Sequence, residues 1–174
     1  MKKSTIKNFL PDYRFKKITD IAPGFFYKAR LIIFDIDNTL VFSDLTETKK
    51  EIVDWFHEIN NEYRCVCVSN SWTIKSRQGE IEKQLGCEIF LSRRKKPSKK
   101  LFAEITDKYN SEGGKVFVVG DRIFTDILFG NLNGAATVLV NRMNNRENIL
   151  IKITRVFESL ILFFIGLRYN KNNK

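Results

Sequence analysis

Two acidic strings carry chemistry in this chain: Asp35-Ile36-Asp37-Asn38-Thr39-Leu40 and Gly120-Asp121-Arg122-Ile123-Phe124-Thr125-Asp126, each directly after an apolar run. Carboxylates grouped this way suit Mg²⁺, which takes about six oxygen ligands and keeps several of them as water. With its charge neutralised by such an ion, a carboxylate can attack phosphorus and form an aspartyl-phosphate that water then hydrolyses. Asp35 ends the first apolar run and is the candidate nucleophile. Asp37 would protonate the leaving oxygen and later deprotonate the attacking water, and its backbone carbonyl is a further candidate ligand. The expected metal set is Asp35, Asp37 and Asp121. Asp126, five residues past Asp121, is expected one layer out, orienting a water of the metal or a lysine.

A phosphoryl group also needs donors and a cation. Ser69-Asn70-Ser71 follows a second apolar run, so the Ser69 hydroxyl and the loop at Asn70 are candidate binders of its oxygens. Lys95-Lys96-Pro97 offers the cation; Lys96 is preferred because the proline fixes the backbone beside it, with Lys95 as the alternative. Arg122 either contacts phosphate or pairs with a neighbouring carboxylate. Each string alone has a duller reading as turn chemistry, a generic loop or a solvated basic face. Their order, each after its own strand, makes the functional reading the stronger one. Trp72 is expected to pack its loop, with a contact to lipid as the alternative, and His57, on a helix far from every motif, is expected to be incidental.

The elements that must position these groups alternate. Apolar runs at 31–34, 65–68, 88–91, 116–119 and 136–140 read as strands, and the spacings at 46–60, 74–85, 98–109 and 125–132 read as helices, the second ended by Gly86. That alternation predicts an α/β fold, a Rossmann-like three-layer arrangement around a parallel sheet of about five strands, with the acidic strings at the strands' C-terminal ends. Residues 1–30 read as a basic arm, irregular or with short helical pieces, and 31–145 as the core. Residues 146–170 read as an amphipathic helix with Ile149, Ile153, Val156, Phe157, Leu160, Ile161 and Phe164 on one face. Its apolar part falls short of the roughly 20 residues a membrane span needs. It is expected to pack on the sheet or rest on a membrane surface.

A chain of 174 residues, 43% hydrophobic, suits one domain. Thirty Lys and Arg against twenty Asp and Glu give a net charge of +10, which attracts nucleic acid or anionic lipid without choosing between them. Cys65, Cys67 and Cys87 form no disulfide pattern, and Cys65 and Cys67 are expected to share one buried face of a strand. No signal peptide is apparent, so the expected compartment is reducing and intracellular.

In their order, Asp35/Asp37, Ser69, Lys96 and Asp121/Asp126 resemble the four motifs of the haloacid dehalogenase superfamily of phosphatases, over residues 31–140. Leu10-Pro11-Asp12-Tyr13, Asp20-Ile21-Ala22-Pro23 and the run from Val119 to Asn131 are similar to the YqeG family, related to mitochondrial phosphatidylglycerophosphate phosphatases. The resemblance implies a Rossmann-like fold and a Mg²⁺-dependent phosphatase making phosphatidylglycerol for membrane and cardiolipin synthesis. Superfamily caps are inserted after the first motif or between the second and third, yet Asp37 to Ser69 and Ser69 to Lys96 hold only the core's own elements, so a capless, open site is expected. Such a site admits a lipid head group, a polynucleotide end or a phosphoprotein. The basic arm and amphipathic tail favour a phospholipid at an anionic membrane surface, peripheral to a bacterial membrane or on the mitochondrial matrix side. The main rival is a polynucleotide-end phosphatase, against which the basic run 93–100 has no interleaved aromatics. A remote rival is a membrane adaptor without activity.

Overall fold

A computed structural model describes residues 7–43, 45–109 and 114–143. The expected C-terminal helix lies outside the described residues. Five strands run in parallel: β1 (Tyr13–Phe15), β2 (Ala29–Phe34), β3 (Cys65–Cys67), β4 (Lys115–Gly120) and β5 (Ala136–Val140), in the order β1-β5-β4-β2-β3. The helices are α1 (Lys50–Glu62), α2 (Ile74–Leu85), α3 (Lys99–Lys108) and α4 (Leu128–Asn131).

Alternation along the central strands divides the core into two layers. On one face Ile32, Phe34, Cys65, Cys67, Phe117 and Val119 pack with Trp55, Phe56 and Ile59 of α1 and Ile81 and Leu85 of α2. On the other, Leu31, Ile33, Val66, Val116 and Val118 meet Leu101 and Ile105 of α3 and Phe129 of α4. Both sheet faces are covered, which is why β2 and β4 read as nearly unbroken apolar runs. The helices begin and end on local chemistry: Ser98 Oγ accepts from the Leu101 N–H, and Gly86 closes α2 in the left-handed conformation at φ 63°. As expected, Cys65 and Cys67 share one buried face, where Cys67 Sγ lies 3.9 Å from Cys87 Sγ.

Two expectations about strands need correction. Residues 88–91 do not form a strand: their pairing is a single bridge between Cys67 and Ile89. Two backbone bonds to Cys67 hold this segment, after which the chain leaves the sheet to deliver Lys95 and Lys96 to the strand ends. The fifth strand comes instead from the N-terminal region, which was expected to be an irregular arm. Tyr13–Phe15 pairs in register with Val138–Val140, and the short helical pieces expected there are 3₁₀ turns at Ile18–Asp20 and Pro23–Phe26. Three residues are too few for an alternation to register in the sequence.

What secures that edge is polar. Asp12 Oδ2 accepts from the backbone N–H of Thr137 (2.8 Å) and from its hydroxyl (3.1 Å), while the Asp12 N–H donates to Thr137 Oγ1 (3.1 Å). Asn131 Nδ2 donates to the carbonyls of Asn8 and Leu10. The Leu-Pro-Asp-Tyr string is thus a clamp for β1. Asp12→Ala leaves Thr137, which is fully buried, short of its acceptor and should cost about 1–3 kcal/mol in urea unfolding. A native unfolding midpoint would show that Asp12 does not hold the edge.

Candidate active site

β2 ends one residue before Asp35, whose N–H donates to the Val119 carbonyl of β4 (2.8 Å). That bond seats the nucleophile candidate at the seam of the two central strands. Its Oδ1 accepts from Lys96 Nζ (2.6 Å) and its Oδ2 from Thr39 Oγ1 (3.1 Å). Lys96 Nζ also pairs with Asp126 Oδ1 (2.7 Å) and donates to the Val68 carbonyl (3.0 Å), so its three N–H bonds have three acceptors.

Asn70 explains how a lysine from a distant loop reaches this point. Its side chain clamps the Lys96 backbone from both sides, Oδ1 accepting from the Lys96 N–H (2.8 Å) and Nδ2 donating to the Lys96 carbonyl (3.0 Å). The paired lysines differ in position. Lys96 is buried in the site, whereas Lys95 stays on the rim, its Nζ donating to the Asn70 carbonyl (2.6 Å). Asn70, expected to bind phosphate, has its side chain committed to this clamp.

The second acidic string folds back on itself. A π-helical turn over Ile123–Ile127, with the Asp126 N–H on the Arg122 carbonyl (2.9 Å), returns Asp126 to the end of β4. Gly120 makes room: a Cβ there would lie 2.4–2.5 Å from the Asp126 side chain. Arg122 contributes its backbone N–H to Asp126 Oδ2 (3.1 Å). Carboxylate oxygens of Asp35, Asp121 and Asp126, all buried, come within 4.8 Å of one another. Asp126 was expected one layer out; it holds the lysine as anticipated, yet it also joins the carboxylate cluster directly. The Asp37 carboxyl is engaged outside this cluster, which leaves its backbone carbonyl as the atom it would offer to the expected metal set. Ser69 Oγ donates to Asp37 Oδ2 (2.7 Å) and Arg77 Nη2 to Asp37 Oδ1 (2.8 Å).

Electrostatics sharpen the picture. Burial pushes the Asp35 carboxyl well above the ordinary carboxylate range; Lys96 pulls it back, and Asp126 and Asp121 push it up again. Burial alone would lower Lys96, but Asp126 and Asp35 outweigh that and keep its ammonium charged. The cluster of Asp35, Asp121 and Asp126 offers carboxylate oxygens only. An all-oxygen set of this kind fits a hard divalent cation such as Mg²⁺.

Arg77 is the residue that sequence reasoning missed. It lies on α2 with Ile74, Ile81 and Leu85, all buried, and bridges Asp37 to the Leu45 carbonyl (2.8 Å). A charged residue on the apolar stripe of a helix was the available signal. Trp72, expected to pack its loop, is instead 90% exposed. His57 Nε2 meets the Gln84 carbonyl (2.9 Å), a contact between helices away from the carboxylates.

A family model described as mitochondrial PGP phosphatase matches residues 3–143. The chain is 31% identical over 159 residues to the probable phosphatase YqeG of Bacillus subtilis, covering 90% of this chain and 91% of that protein. It is 31% identical over 88 residues to phosphatidylglycerophosphate phosphatase 1, chloroplastic/mitochondrial, of Arabidopsis thaliana, half of this chain and 25% of that one. In fold it is similar to the crystal structure of an uncharacterized protein from Listeria monocytogenes serotype 4b, with a TM-score of 0.50 at 14% identity, covering 69% of this chain and 86% of that chain.

Two outcomes follow from the geometry. The folded-state pKa of Asp35 lies above its unfolded value, so the metal-free fold loses stability as pH rises through the window between the two. Asp35→Asn removes that loss and should raise the metal-free melting temperature at pH 8 by about 2–4 °C. The gain should vanish as pH falls below the ordinary carboxylate range; an unchanged melting curve across pH would contradict the charge account. Arg77→Met should lower kcat by about 10- to 100-fold with little change in KM, and Arg77→Lys should recover part of it. Native kcat in Arg77→Met would make the arginine a packing residue only.

Proposed function

This chain belongs to the mitochondrial PGP phosphatase family, and we propose that it removes the terminal phosphate of phosphatidylglycerophosphate to leave phosphatidylglycerol. Phosphatase activity comes with the family; substrate, metal and mechanism are our reading. The observation that carries it is the contact of Lys96 Nζ with Asp35 at 2.6 Å inside a cluster of buried carboxylates. A nucleophilic carboxylate needs its charge compensated before it can approach a phosphate dianion, and this arrangement supplies part of the compensation.

Mg²⁺ held among Asp35, Asp121 and Asp126 would supply the rest, neutralising carboxylates and phosphoryl oxygens together. Asp35 attacks phosphorus, the bond from phosphorus to the glyceryl oxygen breaks, and Asp37 delivers a proton to that oxygen. In the second half Asp37 takes a proton from water, the water oxygen bonds to phosphorus, and Asp35 is released. Ser69 donates to a phosphoryl oxygen after leaving Asp37. Because the N–H bonds of Lys96 are already taken, its charge and its hold on Asp35 are what it offers. Arg77 holds the carboxyl of Asp37 in place through both halves.

Substrate size is consistent with the surroundings. Among the described residues, the intervals from Asp37 to Ser69 and from Ser69 to Lys96 hold only α1, β3, α2 and the bridge at Ile89. No cap covers the strand ends there, so a phosphate projecting from a bilayer can enter. No described helix is long and apolar enough to cross a membrane, and we read the chain as working from the membrane surface.

The test is phosphate release from phosphatidylglycerophosphate in mixed micelles with and without Mg²⁺, beside a 5′-phosphorylated oligonucleotide. The expected result is selective, Mg²⁺-dependent turnover of the lipid that Asp35→Asn lowers by many powers of ten. Selective turnover of the oligonucleotide would overturn the lipid reading, and turnover surviving Asp35→Asn would overturn the nucleophile.

A further inference from the structure

Trp72 presents 90% of its surface to solvent at the turn between β3 and α2. An exposed tryptophan is costly to keep in water, and this one is held in a particular way: Lys95 Nζ lies over its ring, 4.5 Å from the centroid. The same ammonium donates to the Asn70 carbonyl at 2.6 Å, and Asn70 is the residue that clamps Lys96. Leu45, 52% exposed, is tied to the site by a parallel route, since Arg77 binds its carbonyl with one nitrogen and Asp37 with another. Trp72 is thus linked to Lys96 through Lys95 and Asn70, and Leu45 to Asp37 through Arg77 alone. Lys75 and Arg93, also exposed, add positive charge in the first turn of α2 and just before Lys95.

We infer that Trp72 and Lys95, with Leu45 as a second exposed apolar residue tied to the site through Arg77, form a lip that seats the open site on an anionic phospholipid surface; this rests on the lipid reading above. The chemistry is complementary at both ends. An indole ring settles at the boundary of head groups and acyl chains, and a lysine laid along it keeps its ammonium among the anionic head groups. Direction agrees as well. Asp37 faces Ser69 and Arg77, on the side of the β3–α2 turn, so the glyceryl oxygen it protonates departs beside this lip, where the rest of the lipid remains embedded. The same pair of side chains could stack a nucleic-acid base, an outcome the test distinguishes; a second exposed apolar side chain, Leu45, favours the bilayer.

The full chain carries two tryptophans, and Trp55 is buried with its Nε1–H on the Ile21 carbonyl (2.7 Å), so a solvent-sensitive emission change reports Trp72. Vesicles of phosphatidylglycerol in phosphatidylcholine should blue-shift that emission, brominated acyl chains should quench it, and phosphatidylcholine alone should do neither. Trp72→Ala should weaken vesicle binding by about tenfold and slow turnover of vesicle-borne phosphatidylglycerophosphate to match. Its hydrolysis of water-soluble para-nitrophenyl phosphate should stay native. Vesicle binding with unshifted emission, undiminished binding by Trp72→Ala, or quenching by a single-stranded oligonucleotide and not by vesicles would each overturn the lip. A chain that shows the shift yet leaves phosphatidylglycerophosphate intact while cleaving para-nitrophenyl phosphate supports the lip and overturns the substrate assignment instead.

Discussion

Lys96 Nζ stands 2.6 Å from Asp35 and 2.7 Å from Asp126, its side chain almost wholly removed from water, and the neighbouring chain is shaped around keeping it there. A buried ammonium is tolerable only when paired, and a buried carboxylate likewise. Here one cation serves two carboxylates directly and lies in a cluster with a third. The arrangement explains several local oddities together. Asn70 spends its amide on the Lys96 backbone, Gly120 lacks the side chain that would collide with Asp126, and the turn after β4 takes the wider π-helical form. Each departs from the simplest local choice, and each serves the geometry of one ion pair.

Much of this was legible in the sequence because the strongest signals are the ones periodicity and spacing carry. β2 and β4 are apolar runs ending in aspartate, and buried parallel strands with ligands at their C-terminal ends have that signature. Asp35, Asp37, Ser69, Lys96, Asp121 and Asp126 all come to the same edge of the sheet. Less was legible where a residue's role depends on its partner. Asn70 reads as a loop amide until Lys96 is placed against it, and Asp126 reads as remote until the turn closes. Arg77 left a trace, a charge on a buried helix face, but its partner Asp37 is 40 residues away. The edge strand at Tyr13 was missed because its stability comes from Asp12 and Asn131 rather than from any pattern of its own.

Openness follows from economy of chain. With only α1, β3, α2 and one bridge between the motifs, nothing in the described residues closes over the strand ends, and selectivity has to come from what surrounds the mouth. The described rim is basic and carries exposed apolar side chains at Leu45 and Trp72.

The central claim is that Asp35 itself takes the phosphoryl group. Acid-quenching the native chain during turnover of phosphatidylglycerophosphate and mapping the peptides by mass spectrometry tests it most directly. The account predicts a hydroxylamine-labile phosphoryl group on Asp35, and its accumulation in Asp37→Asn when the ester is para-nitrophenyl phosphate, whose leaving group needs no proton. Sustained turnover with Asp35 unmodified at every quench time, accompanied by inversion at phosphorus, would mean that water attacks the ester directly and would contradict it.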